Sequence, residues 1–210
     1  MRRTFVSLMA VMLFVVASST SAAATTQIVT IRALIGQADW ETFDDVTGAG
    51  ESGVVQFATA EGQTTAFVSI SKGELILCEG GDTPDPLDDF YGFVGTETFG
   101  QGPAKLAVGK TYSSARAWGT VTAEVFTFNE CTGDEGTSTT KTIKLAMLLD
   151  GVTPVLHETE RSTISIPSRL RSKTMVRADS RGAAGWVKVG AQTMDTGGVI
   201  GQLSLRASEH

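Results

Sequence analysis

Apolar and polar side chains alternate with a period of two through most of the chain, and the 3.6-residue period of an amphipathic helix is almost absent. Short runs rich in Val, Ile, Thr and Phe predict strands over residues 28–34, 53–60, 65–71 and 74–78. Glu61-Gly62-Gln63 is short enough to close a hairpin, and Lys72-Gly73 is a second candidate turn, because glycine accepts the positive φ of a tight connection.

The clearest run covers residues 113–129. Its odd positions carry Ala115, Ala117, Gly119, Val121, Ala123 and Val125, while its even positions carry Arg116, Trp118, Thr120, Thr122, Glu124, Phe126 and Phe128. The odd side chains are expected to face a core and the even ones a partly wet surface that enters a covered region at its aromatic far end. Residues 140–149 place Ile143, Leu145, Met147 and Leu149 on one parity and Ala146 and Leu148 on the other, as in a strand covered on both faces. A short helix through K-L-A-M-L-L is the competing reading, since those residues are good helix formers. Further strands are predicted over 161–166, 173–179, 185–191 and 199–207, joined by R-G-A-A-G (181–185) and D-T-G-G (195–198).

About ten short strands, each apolar on one face, favour two packed layers. The expected fold is an all-β antiparallel β-sandwich, immunoglobulin-like or jelly-roll-like, with the topology left open. Residues 1–24 read as an export signal: Arg2 and Arg3, an apolar stretch over 5–17, then small residues at the cut. The remaining 25–210 suit one secreted domain with a core of useful size. Residues 79–110 lack clean periodicity, and two prolines, Pro84 and Pro86, break their start, so they read as a long excursion.

Cys78 and Cys131 are the two cysteines, and in an exported chain an even count predicts a disulfide across that excursion. L-I-L-C-E-G-G supplies no cation to stabilise a thiolate at Cys78, so the pair reads as a staple rather than a nucleophile. No later segment is long and apolar enough to predict a membrane helix. The formal charge is -6; without Arg2 and Arg3 it becomes 15 - 23 = -8. Residues 25–150 hold 7 basic and 18 acidic groups, whereas 151–210 hold 8 and 5. The acidic larger part disfavours nucleic acid. Arg161, Arg169, Arg171, Lys173, Arg177, Arg181 and Lys188 make a candidate basic face for an anionic partner, or simply balance the acidic part.

Candidate chemistry is sparse. Asp82, Asp85, Asp88 and Asp89 could offer oxygen ligands to calcium, but they do not follow the EF-hand order and read equally as a solvated loop. A hydrolytic triad would have to use His157, yet no G-x-S-x-G elbow accompanies it, and no zinc ligand pattern is present. Glu41 with Asp44 or Asp45, and Glu124 near Trp118, are candidate carboxylates for glycoside cleavage, although acidic surface side chains explain them as well. Asn129, followed by Glu130-Cys131, is no glycosylation acceptor and reads as a local cap. No cofactor and no metal are expected, and no catalytic residue is assigned.

A ligand-binding patch is assigned to Tyr91 and Trp118, whose polar handles suit a boundary between apolar matter and water, with Phe93 and Phe99 as neighbours that also suit a core. The functional expectation is a secreted or cell-surface-associated, non-enzymatic protein that recognises a surface protein or polysaccharide. The alternatives are an assembly component acting through exposed sheet edges and a carboxylate-dependent carbohydrate-active enzyme.

Overall fold

The computed structural model describes residues 27–78, 90–166 and 170–209. The expected export signal, the Asp82 to Asp89 cluster and Arg169 therefore lie outside the described residues. Nine strands follow in order: β1 (Gln27–Phe43), β2 (Ala49–Ala60), β3 (Gln63–Cys78), β4 (Phe90–Val108), β5 (Ser114–Asn129), β6 (Asp134–Gly151), β7 (Leu156–Ile166), β8 (Leu170–Val189) and β9 (Gln192–Glu209). The 3-10 turn Lys110–Tyr112 links β4 to β5. Residues 140–149 are strand, not helix. Among the described residues, no helix is long and apolar enough to cross a membrane.

All pairings are antiparallel, and each strand from β1 to β5 lies beside its successor. β9 returns to β1, and β8 pairs with β9 on one side and with β6 on the other, so hydrogen bonds run in a ring through every strand but β7. The walls of this ring meet across its interior, β1 against β4 and β6, and β6 against β9, giving sandwich-like packing of two apolar faces. The strand order is that of a meander rather than the Greek-key order of an immunoglobulin-like or jelly-roll-like sandwich.

The interior is filled by side chains. Val55, Phe57, Val68, Val121, Met147, Leu149, Val187 and Ile200 are fully buried, and each full burial contributes roughly 1.5–3 kcal/mol. The odd positions of β5 do face this core, with Ala115, Ala117, Val121 and Ala123 buried. Large side chains sit opposite small ones: Trp40 faces Gly53, and a methyl group at Gly36 would come within 2.7 Å of Met147, which reaches it from the opposite wall. These glycines let the ring close.

The same requirement overturns several predicted turns. Gly73 lies inside β3, where it faces Gly95 of β4, and any side chain there would strike the Val94 carbonyl. R-G-A-A-G lies inside β8, and D-T-G-G inside β9, where side chains at Gly185 and Gly198 would strike the carbonyls of Leu148 and Gln37. Glu61-Gly62 does turn the β2–β3 hairpin, with φ of 52° and 79°. The segment read as an excursion over 79–110 is largely β4, a strand whose pattern is masked by five interspersed small residues, Gly92, Gly95, Gly100, Gly102 and Ala104.

Two ladders project from opposite ends of the ring. At one end, β3 and β4 continue beyond β2, pairing residues 74–78 with 90–94. At the other, residues 27–32 of β1 pair with β9 alone, and β8 and β7 extend alongside. β6 and β7 occupy successive stretches of the same edge of β8, opposite Ala183–Val189 and Leu170–Ser180. Between them the chain steps out at Pro154, where the N–H groups of Val152 and Thr153 both donate to the Gly182 carbonyl.

Candidate functional site

Register decides which side chains share a surface. On the outer face of the first ladder, Leu77 opposes Tyr91, Leu75 opposes Phe93, and Gly73 opposes Gly95, which in turn opposes Phe128. One step further along, Glu97 opposes Phe126, and Phe99 opposes Glu124. Leu75, Leu77, Tyr91, Phe99 and Phe126 are exposed, Tyr91 at 68% and Leu77 at 54%. Phe93 and Phe128 stack with centroids 5.8 Å apart. The bare glycine pair beside them gives the rings room, since a methyl group at Gly73 would lie 2.8 Å from Phe93. Seven apolar side chains thus share one outer face that the ring does not bury, with Glu97 and Glu124 set among those at its inner end.

The backbone under this patch is held firmly. Cys78 and Cys131 are joined, with Cα atoms 5.3 Å apart, which ties the end of β3 to the β5–β6 turn. Such a bond persists in oxidising compartments. Gly92 lies against the bridge, where a methyl group would come within 2.7 Å of the Cys78 sulfur. The Phe93 N–H donates to the Glu130 carboxylate at 2.8 Å, and the Glu130 N–H donates to the Phe93 carbonyl at 3.1 Å, so the turn extends β4's pairing where β5 stops. Asn129 caps the turn as expected, accepting from the Cys131 N–H at 2.9 Å. From the other side, the Leu75 N–H donates to Gly48 in the β1–β2 turn. In that turn, Asp44 accepts from the N–H groups of Val46 and Thr47, which holds its carboxyl below the usual range.

Tyr91 therefore belongs to a surface cluster, whereas Trp118 does not join it. Trp118 is 46% exposed on the outer face of β5, opposite Lys105. Lys105 is 105 - 91 = 14 positions beyond Tyr91 along β4, a separation of roughly 45 Å. The Lys105 ammonium lies 6.0 Å from the Trp118 ring, and Trp186 shares the same outer wall across β6. Trp40 is buried in the interior and donates to Glu51 at 3.2 Å.

The predicted carboxylates are dispersed. Glu124 stands on the outer wall opposite Phe99. Glu41 is exposed and, with Asp39 and Asp195, lines an open outer groove of about 850 Å³ across β9, β1, β2 and β3. His157 pairs with Asp179, Nδ1 to Oδ1 at 2.6 Å, and Arg177 Nε lies 3.5 Å from the same oxygen. The histidine hydrogen bond, then the arginine charge, hold the Asp179 carboxyl below its ordinary range against the opposing effect of burial. Nearby, Tyr112 closes the ring's mouth by donating to Gln202 at 3.4 Å, and burial pushes its phenol up. Thr111 and Tyr112 adopt positive φ, 52° and 56°, unusual for residues with side chains. Among the described residues, no group of three or more acidic, histidine or cysteine side chains is placed to hold a metal.

The apolar patch could be found only in part from sequence. Tyr91 is singled out by its chemistry, but Leu75, Leu77, Phe126 and Phe128 look like core residues until register places them outside. Comparison with known proteins finds no matching family model, no matching curated protein and no matching solved structure.

Proposed function

We propose that this chain is an exported, non-enzymatic binding protein that docks a protein partner on the apolar outer face of the disulfide-tied ladder. The observation that carries the reading is the exposed set Leu75, Leu77, Tyr91, Phe99 and Phe126, which shares one outer face with the stacked Phe93 and Phe128 and with Glu97 and Glu124, on a covalently braced backbone. Exposed apolar patches of this kind mark interaction sites, and aromatic anchors supply most of the binding energy where a partner excludes water. The aliphatic content favours a protein surface over a polysaccharide, which stacks on rings but gains little from leucine. A braced backbone reduces the ordering cost of association.

Immobilised protein is expected to retain one envelope protein, and the Leu77→Glu, Tyr91→Glu double variant to lose at least tenfold in affinity while its unfolding midpoint stays unchanged. Retention that survives the double substitution would overturn the reading. So would an envelope fraction that yields no retained protein.

A second reading, assembly through strand addition, is supported by β7, which among the described residues pairs with β8 alone and leaves one edge open to another strand. Sedimentation over a wide concentration range tests it: reversible growth in mass supports assembly, and a persistent monomer opposes it.

A further inference from the structure

The second ladder carries a different surface, independent of the apolar patch. Its inner face continues the wall of the ring's interior without a register break, because the β1–β9 and β8–β9 pairings keep one register throughout. Beyond the rim the chemistry on that face changes from apolar to basic. Arg32, Ser204, Arg177 and Thr159 form one row across β1, β9, β8 and β7. The next row is Thr30, Arg206, Met175 and Arg161, and Lys173 follows between Ser208 and Thr163.

Arg32, Arg161, Lys173, Arg177 and Arg206 are all exposed. Cations are therefore interleaved with hydroxyls, with Met175 and Ile28 as the apolar positions, strand neighbours roughly 5 Å apart and side chains on one strand roughly 7 Å apart. Glu158 and Glu160 of β7 fall on the opposite parity, so strand alternation separates the two signs of charge. Asp179 is the acidic side chain placed on the inner face, and His157 and Arg177 already engage it. Among the described residues, Arg32, Arg161, Lys173 and Arg206 have no ion pair. One row inward from Asp179 on β8, the buried Nε of Arg181 has no hydrogen-bond partner in the described structure. An orphaned donor at the head of a basic face adds to its demand for negative oxygen.

We propose that this face binds an anionic polysaccharide, a hydroxyl-rich chain bearing carboxylate groups. Arginine forks grip carboxylates in pairs of parallel hydrogen bonds, and the interleaved serine and threonine hydroxyls suit sugar hydroxyls. The cations spread over four strands without converging, which fits a chain rather than one small anion. Apolar positions are few on this face, Met175 and, beside Ser208, Ile28, fewer than a peptide or a lipid surface would use as anchors. The chain's overall charge of -6 opposes a long nucleic acid.

Polygalacturonate is the probe, with neutral dextran, poly-glutamate and duplex DNA as comparison ligands, titrated against the whole protein at several salt concentrations. The inference expects polygalacturonate to bind most tightly and to weaken as salt rises, and dextran not to bind. The Arg161→Gln, Arg206→Gln double variant should lose at least tenfold, whereas Lys188→Gln, on the outer wall, should bind as the parent does. Cooperative unfolding at an unchanged midpoint confirms that the double variant is folded. Equal or tighter binding of poly-glutamate or DNA would overturn the glycan assignment. Undiminished binding by the folded double variant, or no binding at low salt, would overturn the site. Neither outcome touches the apolar patch, whose variants are separate.

Discussion

The two projecting ladders extend from the same ring by the same device, strands that outrun their neighbours, yet they are built in opposite ways. The β3–β4 ladder turns leucine and aromatic side chains outward and is fastened by the Cys78–Cys131 bridge and by Glu130's bonds to Phe93. The β7–β8–β9 ladder has no covalent tie and places arginines and hydroxyls on the face that continues the interior. An apolar surface left in water invites misassociation, so holding it in one shape limits the partners it fits. A charged, hydrated face carries no such hazard and can remain loosely held.

Removing the staple is the sharpest way to break this contrast. The bridge spans 53 residues, so Cys78→Ser with Cys131→Ser should lower global stability by about 4 kcal/mol on the chain-entropy estimate, read by urea unfolding. Hydrogen exchange should speed up most at residues 74–78 and 90–94. Uniform acceleration of both ladders would show that the staple braces the whole ring instead.

Filling a close approach should have the next largest effect. Gly73→Val drives a side chain into the Val94 carbonyl and Phe93 and should cost about 2 kcal/mol. Gly197→Val, in a β9 position with nothing within 4 Å of an added Cβ, should cost less than about 0.5 kcal/mol. Thermal unfolding of the pair separates packing glycines from unconstrained ones. Equal losses would mean that glycine's role at Gly73 is not the close approach.

Acid should act on the second ladder through Asp179. The Asp179 carboxyl is held below its unfolded value by His157 and Arg177, so its contribution is fully present above about pH 4 and is lost as pH falls through the lower folded value. The β7–β8 amides should lose exchange protection in that acid range, and Asp179→Asn should remove this dependence. In the disulfide-tied ladder the same sign applies at the β1–β2 turn beside Leu75, where Asp44 is also held low, whereas the bridged end should change little. The smallest effect belongs to Trp118→Ala, which should leave both stability and partner retention within error, because Trp118 stands far from the patch on an exposed wall.

Much of the fold could be read from alternation alone. Residues 113–129 announce their buried and wet faces because alanine and valine occupy one parity and polar groups the other. The Glu61-Gly62 hairpin is readable for the same local reason. Glycine serves two purposes in this chain: at Gly62 it permits a turn, whereas at Gly73, Gly185 and Gly198 it lets an adjacent strand approach. Composition cannot separate these. Closure of the ring was also hidden, since the β6–β8 pairing joins strands separated by β7.

The sites are legible to different degrees. L-I-L-C is apolar on both parities, so only register reveals that Leu75 and Leu77 face outward while Cys78 turns inward. Arg161, Lys173 and Arg177 belong to the basic face expected from sequence; Lys188 lies on the outer wall, and Arg32 and Arg206 join only through long-range pairing.

The claim that the braced apolar face docks a protein is tested most directly by photo-cross-linking from single positions during incubation with envelope extract. A probe at Tyr91 or Leu77 should yield one discrete protein adduct, and a probe at Trp118 should not. No adduct from the patch, or the same adduct from Trp118, would contradict the account.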